Sequence, residues 1–204
     1  MEEGFSKKYE KRGCQVNIKD EKDILRLIEE DEWMMKLLKV AKLLNLPDWW
    51  ICAGFVRSKI WDVIHGYEER TLLADIDVIY FDPTNIDESK EKELEEQLEY
   101  LMPTIPWSIK NQARMHVINN LPPYTSAVEG IANFPETVTA LGVKLDDQDK
   151  VMLTAPHGIK DVIQLQVRPT PRFLTTKELR AVYEERVRKK NWKTTWTMLE
   201  IFHS

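Results

Sequence analysis

Cysteine is scarce in this chain of 204 residues. Only Cys14 and Cys52 are present, and neither falls in a metal-binding or redox spacing. Two cysteines cannot build a disulfide framework, so we expect a reducing compartment and a cytoplasmic protein of bacterial type. The first residues lack an apolar signal core, and no run of about 18 apolar residues could cross a membrane. A membrane partner is therefore not expected.

Other signatures are missing as well. No two of the four histidines have the spacing of zinc ligands. Neither Ser58 nor Ser108 lies in the sharp turn that carries a hydrolase nucleophile, so hydrolase chemistry has little support. The formal net charge of −5 means that the field of the whole molecule does not attract nucleic acid, which argues against DNA as a partner.

The composition is that of an ordinary globular protein, with 43% hydrophobic and 31% charged residues. We expect a flexible segment over residues 1–19 and one domain over residues 20–204, with helical additions at its N- and C-terminal ends. Helices and strands alternate before a mixed C-terminal part, so the expected fold class is α+β. Asp31 interrupts a helical apolar pattern and is expected to begin a second helix.

Several later segments are interpreted structurally. The stretch 82–103 is predicted to start at a proline turn and to continue as an acidic helix whose charges face solvent, and residues 105–119 are predicted to form one or two strands. Glu136 follows a proline and suits the first turn of a helix better than catalysis. A final helix is expected from about residue 176, and its basic stretch 186–193 is interpreted as an exposed helix side, with contact to RNA phosphates as the alternative.

Two carboxylates interrupt an otherwise apolar predicted strand, residues 74–82. Side chains alternate along a strand, so Asp75 and Asp77 share a face, about 7 Å apart along the chain. Aspartate is depleted in strands. The pair could be solvated, could pair with basic residues, or could hold a divalent cation such as Mg²⁺ or Mn²⁺, which takes carboxylate and phosphate oxygens.

The segment upstream favours the cation. A short apolar strand is followed by a small-residue turn and then by a helix that Gly66 closes. Gly54 permits close backbone approach, and the helix N-terminus offers N–H groups to a phosphate. Arg57 near the helix start can neutralise phosphate charge. A phosphate-binding turn and a metal-binding strand are the two halves of a nucleotide-transfer site.

The turn and the strand together resemble the head domain of class II CCA-adding enzymes and poly(A) polymerases. That family carries a Gly-Gly-x-Val-Arg-Asp turn, a short helix and then Asp-x-Asp, and this chain has Ala53 and Ser58 in place of the first Gly and the last Asp. From about Asp20 onward, strings such as "DIDVIYFD", "WSIKNQARMH" and "VRPTP" also resemble a family of small bacterial nucleotidyltransferase-like proteins of undefined role. The resemblance implies a DNA polymerase β-like nucleotidyltransferase fold, in which a mixed sheet with flanking helices displays the metal carboxylates.

Many enzymes of that fold add a third carboxylate from a later strand. The corresponding position here is occupied by Ser108, and Asp82 lies an odd number of residues from the pair, on the opposite face. Class II head domains likewise offer only the aspartate pair. A site with Asp75 and Asp77 as its metal ligands and catalytic carboxylates is therefore expected, and a base for the acceptor is left open.

The expected nucleotide-binding residues come from two stretches: Gly54, Phe55 and Arg57, and Asn111, Arg114 and His116. The second group has a structural hydrogen-bond cluster as its alternative. Two functions follow. The first is transfer of NMP from an NTP to an acceptor, which could be a small molecule, a protein or RNA. The second is a nucleotide-binding or regulatory protein that has lost turnover.

Overall fold

Residues 18–118 and 121–204 are described by the computed structural model. The predicted flexible segment, up to residue 17, and Cys14 with it, lie outside the described residues. The α-helices are α1 Glu21–Glu29, α2 Glu32–Lys42, α3 Gly54–His65, α4 Glu88–Leu101, α5 Gln112–Ile118, α6 Ala127–Ala132, α7 Lys160–Ile163 and α8 Lys177–Lys190. The strands are β1 Trp50–Cys52, β2 Ile76–Tyr80, β3 Trp107–Asn111, β4 Gly142–Leu145, β5 Val151–Thr154, β6 Gln166–Val167 and β7 Glu200–Ile201.

A mixed five-stranded sheet organises the fold. Its strand order is β3-β2-β1-β4-β5, in which β2 and β3 are parallel and the other neighbours are antiparallel. The short strands β6 and β7 form a separate parallel pair. Sheet and flanking helices confirm the predicted α+β class.

The two faces of the sheet bury different sets of side chains. On one face, Ile76, Val78 and Tyr80 of β2 join the main hydrophobic core. On the other face, Ile79 of β2 belongs to a smaller cluster that includes Cys52. Because side chains alternate along β2, Asp77 points to the face of the smaller cluster.

Helix ends follow local sequence signals. The carboxylate of Asp20 accepts the Asp23 N–H of α1 at 3.0 Å, and that of Asp31 accepts the Met34 N–H of α2 at 3.0 Å. Both are side-chain caps of the kind that leaves fewer unpaired donors at a helix start. Gly66 closes α3 with φ 70°, a left-handed conformation that glycine adopts without a steric cost. The ends at Asp31 and Gly66 confirm the predicted helix start and stop.

The prediction of only strands over residues 105–119 is wrong in its second half. Strand β3 ends at Asn111, whose side-chain oxygen accepts the Ala113 N–H at 3.0 Å and turns the chain into α5. The Asn111 amide also donates to the carbonyl oxygens of Asp82 and Asn85 at 2.8 and 2.9 Å. These long-range bonds fix Asn111 at the strand end, so the residues after it become helical rather than extended.

Two charges of the acidic helix α4 do not face solvent as predicted. Glu95 accepts the Ile109 N–H at 2.9 Å, and fully buried Glu91 accepts the Asn111 N–H at 2.9 Å. Strand β3 lies at the edge of the sheet, where its backbone donors have no neighbouring strand. The two carboxylates replace that missing neighbour.

The segment after α8 folds back onto α3. Trp192 and Trp196 contact the ring of Trp61 with centroid separations of 5.8 and 5.1 Å. The Trp196 indole donates to buried Asp62 at 2.8 Å, and the same carboxylate accepts the N–H and hydroxyl of Thr71 at 2.9 and 2.7 Å. Asp62 thus joins α3, the loop that leads into β2 and the C-terminal segment.

No helix within the described ranges is both long enough and apolar enough to cross a membrane.

Candidate active site

The aspartate pair lies at the start of the central strand β2. Asp75 immediately precedes the strand and is exposed, whereas Asp77 lies within it and is half-buried. Strand alternation fixes the face of Asp77, and Asp75 lies one residue outside the strand, close enough for its charge to act on Asp77. Burial, together with the neighbouring negative charge of Asp75, raises the pKa of Asp77 from 3.8 to about 6. The two aspartates therefore place negative charges next to each other, and the other charged groups of the protein only partly offset them.

The predicted phosphate-binding turn lies at the same end of the sheet. Strands β1 and β2 pair Trp50 with Ile79 and Ile51 with Val78, and continuing this antiparallel register by one residue places Cys52, the last residue of β1, opposite Asp77. The Cys52 thiol lies 3.5 Å from the carbonyl oxygen of Asp77, which agrees with that register. The N-terminus of α3 and the aspartates are therefore neighbours.

Backbone geometry at this turn is unusual. Ala53, the residue before α3, has φ 55° and ψ −116°, a conformation that favours glycine. Its N–H donates at 2.9 Å to the carbonyl of Leu141, the residue just before β4, and this bond holds the turn in place. None of the described side chains caps this helix start. The first N–H groups of α3 and the positive end of its dipole are consequently available to an anion.

Arg57 lies one turn into α3 and is buried among indole rings. Its guanidinium carbon is 4.6 Å from the ring centroid of Trp192 and 5.1 Å from that of Trp61. Burial lowers the pKa of Arg57 from 12.5 to about 10, so the side chain stays cationic at neutral pH. Its Nε has no hydrogen-bond partner among the described residues.

Gly54 and Phe55 have different surroundings. A Cβ on Gly54 would lie 3.5 Å from Nη2 of Arg57, which places the glycine directly beside the guanidinium. Phe55 is 1% exposed and packs in the main core, where its ring centroid is 5.9 Å from that of Trp33. The structure therefore brings Gly54 and Arg57 together and directs the Phe55 side chain into the core.

Basic side chains of α8 also act on the aspartates, which the sequence interpretation missed. The positive charges of Lys190, Arg57 and Arg186 each oppose the rise in the pKa of Asp77. Arg186 and Lys190 are four residues apart and so lie on one side of the helix. That spacing was the available signal, but it did not show which side of α8 would be turned toward β2.

Glu136 explains part of this orientation. Its carboxylate is fully buried and binds Nε of Arg186 at 2.9 Å. The prediction that Glu136 begins a helix is wrong: it forms an isolated bridge with Pro169, and Thr139 donates its hydroxyl to the carboxylate at 2.8 Å. A buried carboxylate requires a paired cation, and Arg186 supplies it.

Ser108 lies beside the aspartate pair, as the sequence suggested. In the parallel register of β2 and β3 it is the direct partner of Asp77. Across residues 18–118 and 121–204, no group of three or more histidine, cysteine or acidic side chains could hold a metal ion. A cation here would have the two aspartate carboxylates as its protein ligands.

Asn111, Arg114 and His116 lie elsewhere. Asn111 pairs in register with Tyr80 at the far end of β2, about 10 Å along the strand from Asp77. Arg114 binds Glu91 at 2.8 Å. Nδ1 of His116 is buried with no hydrogen-bond partner in the part of the chain described. The structure does not bring these three residues next to the aspartates.

Fold and site together define a nucleotidyltransferase-type protein, with an aspartate pair on a mixed sheet beside a helix N-terminus. Residues 39–201 match the family described as nucleotidyltransferase, and the chain belongs to that family. No curated protein matches the chain. The resemblance drawn from the sequence is confirmed.

Solved structures agree with this assignment. An NMR structure described as revealing a CCA-adding enzyme head domain is 34% identical, with a TM-score of 0.84, over 93% of this chain and 100% of that one. A CCA-adding enzyme in complex with CTP is 14% identical, with a TM-score of 0.55, over 91% of this chain and 44% of that one. The Thermotoga maritima CCA-adding enzyme complexed with tRNA is 14% identical, with a TM-score of 0.53, over 91% of this chain and 43% of that one. The last two show the shared fold, and this chain spans less than half of each.

Proposed function

We propose that this protein transfers a nucleoside monophosphate from an NTP to an acceptor and releases pyrophosphate. The observation that carries the proposal is half-buried Asp77, held beside Asp75 at the same sheet end as the uncapped N-terminus of α3. Membership of a nucleotidyltransferase family supports it. A CCA-adding enzyme of the same fold was solved with CTP, which supports an NTP as the substrate.

The aspartate pair suits a hard divalent cation. Its donors are carboxylate oxygens only. Burial, and after it the neighbouring negative charge of Asp75, raises the pKa of Asp77, and a bound cation would offset both effects. Mg²⁺ is usually held by one or two carboxylates, with phosphate oxygens and water completing its shell. We therefore assign Asp75 and Asp77 as the ligands of Mg²⁺ or Mn²⁺, which would offset the negative charge of the reacting phosphate.

The remaining roles follow from position. The N-terminus of α3 and the cationic side chain of Arg57 bind the triphosphate, and Gly54 keeps the approach to them open. Ser108 offers a hydroxyl where a carboxylate base would stand, so the acceptor receives no such assistance from β3. A nucleotide extends beyond its phosphates, and Asn111, Arg114 and His116 stay predicted contacts for its sugar or base. We also propose a cytoplasmic location.

The test is incubation with each labelled NTP in Mg²⁺ or Mn²⁺, with separate pools of small molecules, proteins and RNA as acceptors. We expect pyrophosphate release and label transfer with one pool, both abolished in Asp75→Asn/Asp77→Asn. The double variant serves as a control only if its circular dichroism spectrum matches that of the wild type. Equal release by wild type and double variant would refute the assignment of the aspartates.

A second function is favoured by Ser108 specifically. A protein of this fold without a third carboxylate can bind NTP and Mg²⁺ while turning over slowly or not at all. Equilibrium binding in the absence of any transfer, with every NTP and acceptor pool, would support this nucleotide-binding or regulatory role over the enzyme.

A further inference from the structure

Helix α8 divides its basic residues between two sides. Arg188 and Lys189 form ion pairs with Glu185 on the same helix, at 2.8 and 3.2 Å, and both are largely exposed. Arg186 instead pairs across the fold with buried Glu136. Lys190 is exposed and forms no ion pair with the residues that the structure describes. One side of α8 thus neutralises itself, whereas Arg186 and Lys190 on the other side form no ion pair within the helix as described.

The position of the second side is fixed by one contact in the middle of α8 and one just beyond its C-terminal end. The Tyr183 hydroxyl lies 2.6 Å from the Phe202 carbonyl, to which it donates. Beyond Lys190, the ring of Trp192 stacks on the guanidinium of Arg57 at 4.6 Å. Since Arg57 lies beside Gly54, the end of α8 is held next to the N-terminus of α3. The cations are in place before any ligand binds.

The local charges indicate what this arrangement would bind. Three cations and three carboxylates lie at this end of the sheet. The cations are those of Arg57, Arg186 and Lys190, and the carboxylates are those of Asp75, Asp77 and Glu136. A divalent cation on the aspartates would leave an excess of positive charge at this end of the sheet. An anion with several charges restores the balance, and a polyphosphate can contact the metal and the α8 cations at once.

We propose that Arg186 and Lys190 form a subsite for the β- and γ-phosphates of the NTP, the part that leaves as pyrophosphate. This rests on the proposed function for the identity of the nucleotide, but the subsite itself requires only a polyphosphate. The α3 N-terminus and Arg57 bind the same chain of phosphates from the other side.

Calorimetric titration with inorganic tripolyphosphate in Mg²⁺ tests the subsite without a nucleotide. Lys190→Gln should weaken binding roughly tenfold or more, since a hydrogen bond to a charged group is lost. Lys189→Gln is the matched control, with the same charge change one residue away, and should stay within about twofold of the wild type. Arg186→Gln should weaken binding as well, and Arg188→Gln should not.

Loss of Arg186 also leaves Glu136 buried without its cation, which could unfold the protein. Lys190→Gln breaks no ion pair and keeps the test decisive. Equal affinities of Lys190→Gln and Lys189→Gln, or no tripolyphosphate binding by the wild type, would overturn the subsite. If NTP transfer persists in that case, the proposed function is retained and only the subsite is refuted. Polyphosphate binding that depends on Lys190, without any nucleotide transfer, would support the subsite and refute the enzyme.

Discussion

Replacing Asp77 with asparagine should stabilise the metal-free protein. The pKa of Asp77 is about 6 in the folded protein, against the ordinary aspartate value of 3.8 expected in the unfolded chain. The folded protein therefore holds the proton more tightly than the unfolded chain, and the ionised side chain opposes folding. A difference of about two pKa units corresponds to roughly 3 kcal/mol. Asparagine has the same shape without the charge.

The sign of the pH dependence follows directly. Above pH 6 the folded wild type carries the full cost of the ionised carboxylate, and the cost shrinks as the pH falls toward 3.8 because protonation favours the folded state. Urea denaturation in EDTA at pH 7.5 should therefore show Asp77→Asn to be more stable by about 2–3 kcal/mol. Near pH 4 the difference should fall to about 0.5 kcal/mol.

Asp147→Asn provides the control, since it removes the same charge from an exposed turn between β4 and β5. Its stability should match that of the wild type within about 0.5 kcal/mol. Addition of Mg²⁺ with an NTP should then stabilise the wild type and leave Asp77→Asn unchanged. A variant that is less stable than the wild type at pH 7.5 would refute the view that Asp77 is held at a cost for ligand binding.

Three further substitutions test the site. Ala53→Gly should stabilise the protein by about 1 kcal/mol in urea denaturation, since relief of a positive φ exceeds the added flexibility of the unfolded chain; a less stable variant would contradict the strain. Arg57→Ala should lower NTP affinity at least tenfold by calorimetry and leave nucleoside affinity nearly unchanged, and equal losses would argue against a phosphate contact. Ser108→Asp should raise a slow transfer rate, where a base typically contributes about 10²- to 10⁴-fold, or tighten binding of a second metal ion; a slower variant of a fast wild type would show the two-aspartate site to be complete.

Local patterns predicted what local interactions decide. The cap at Asp31 depends on a hydrogen bond to a residue three positions away, and the end of α3 at Gly66 depends on the conformation of that glycine alone. The position of Ser108 beside Asp77 required the fold that the resemblance implied. In each case the information lies in neighbouring residues or in a family pattern.

What the sequence did not reveal depends on contacts between distant segments. Residues after Asn111 become helical because that side chain is held by the carbonyls of Asp82 and Asn85, about 30 residues away in the chain. The inward side of α8 is chosen by Glu136 and by the stacking of Trp192 on Arg57. Helical periodicity shows that Arg186 and Lys190 share a side, but not what that side contacts.

The carboxylate of Asp62 has a consequence for how this site can change through mutation. It accepts hydrogen bonds from Thr71, in the loop that positions the aspartate pair, and from Trp196, in the segment that follows the basic helix. A substitution at Asp62 would therefore shift the aspartate pair and the basic residues of α8 together, although Asp62 is buried and belongs to neither group. Both parts of the site therefore depend on the same buried carboxylate. A mutation that alters only one part must lie at a position other than Asp62.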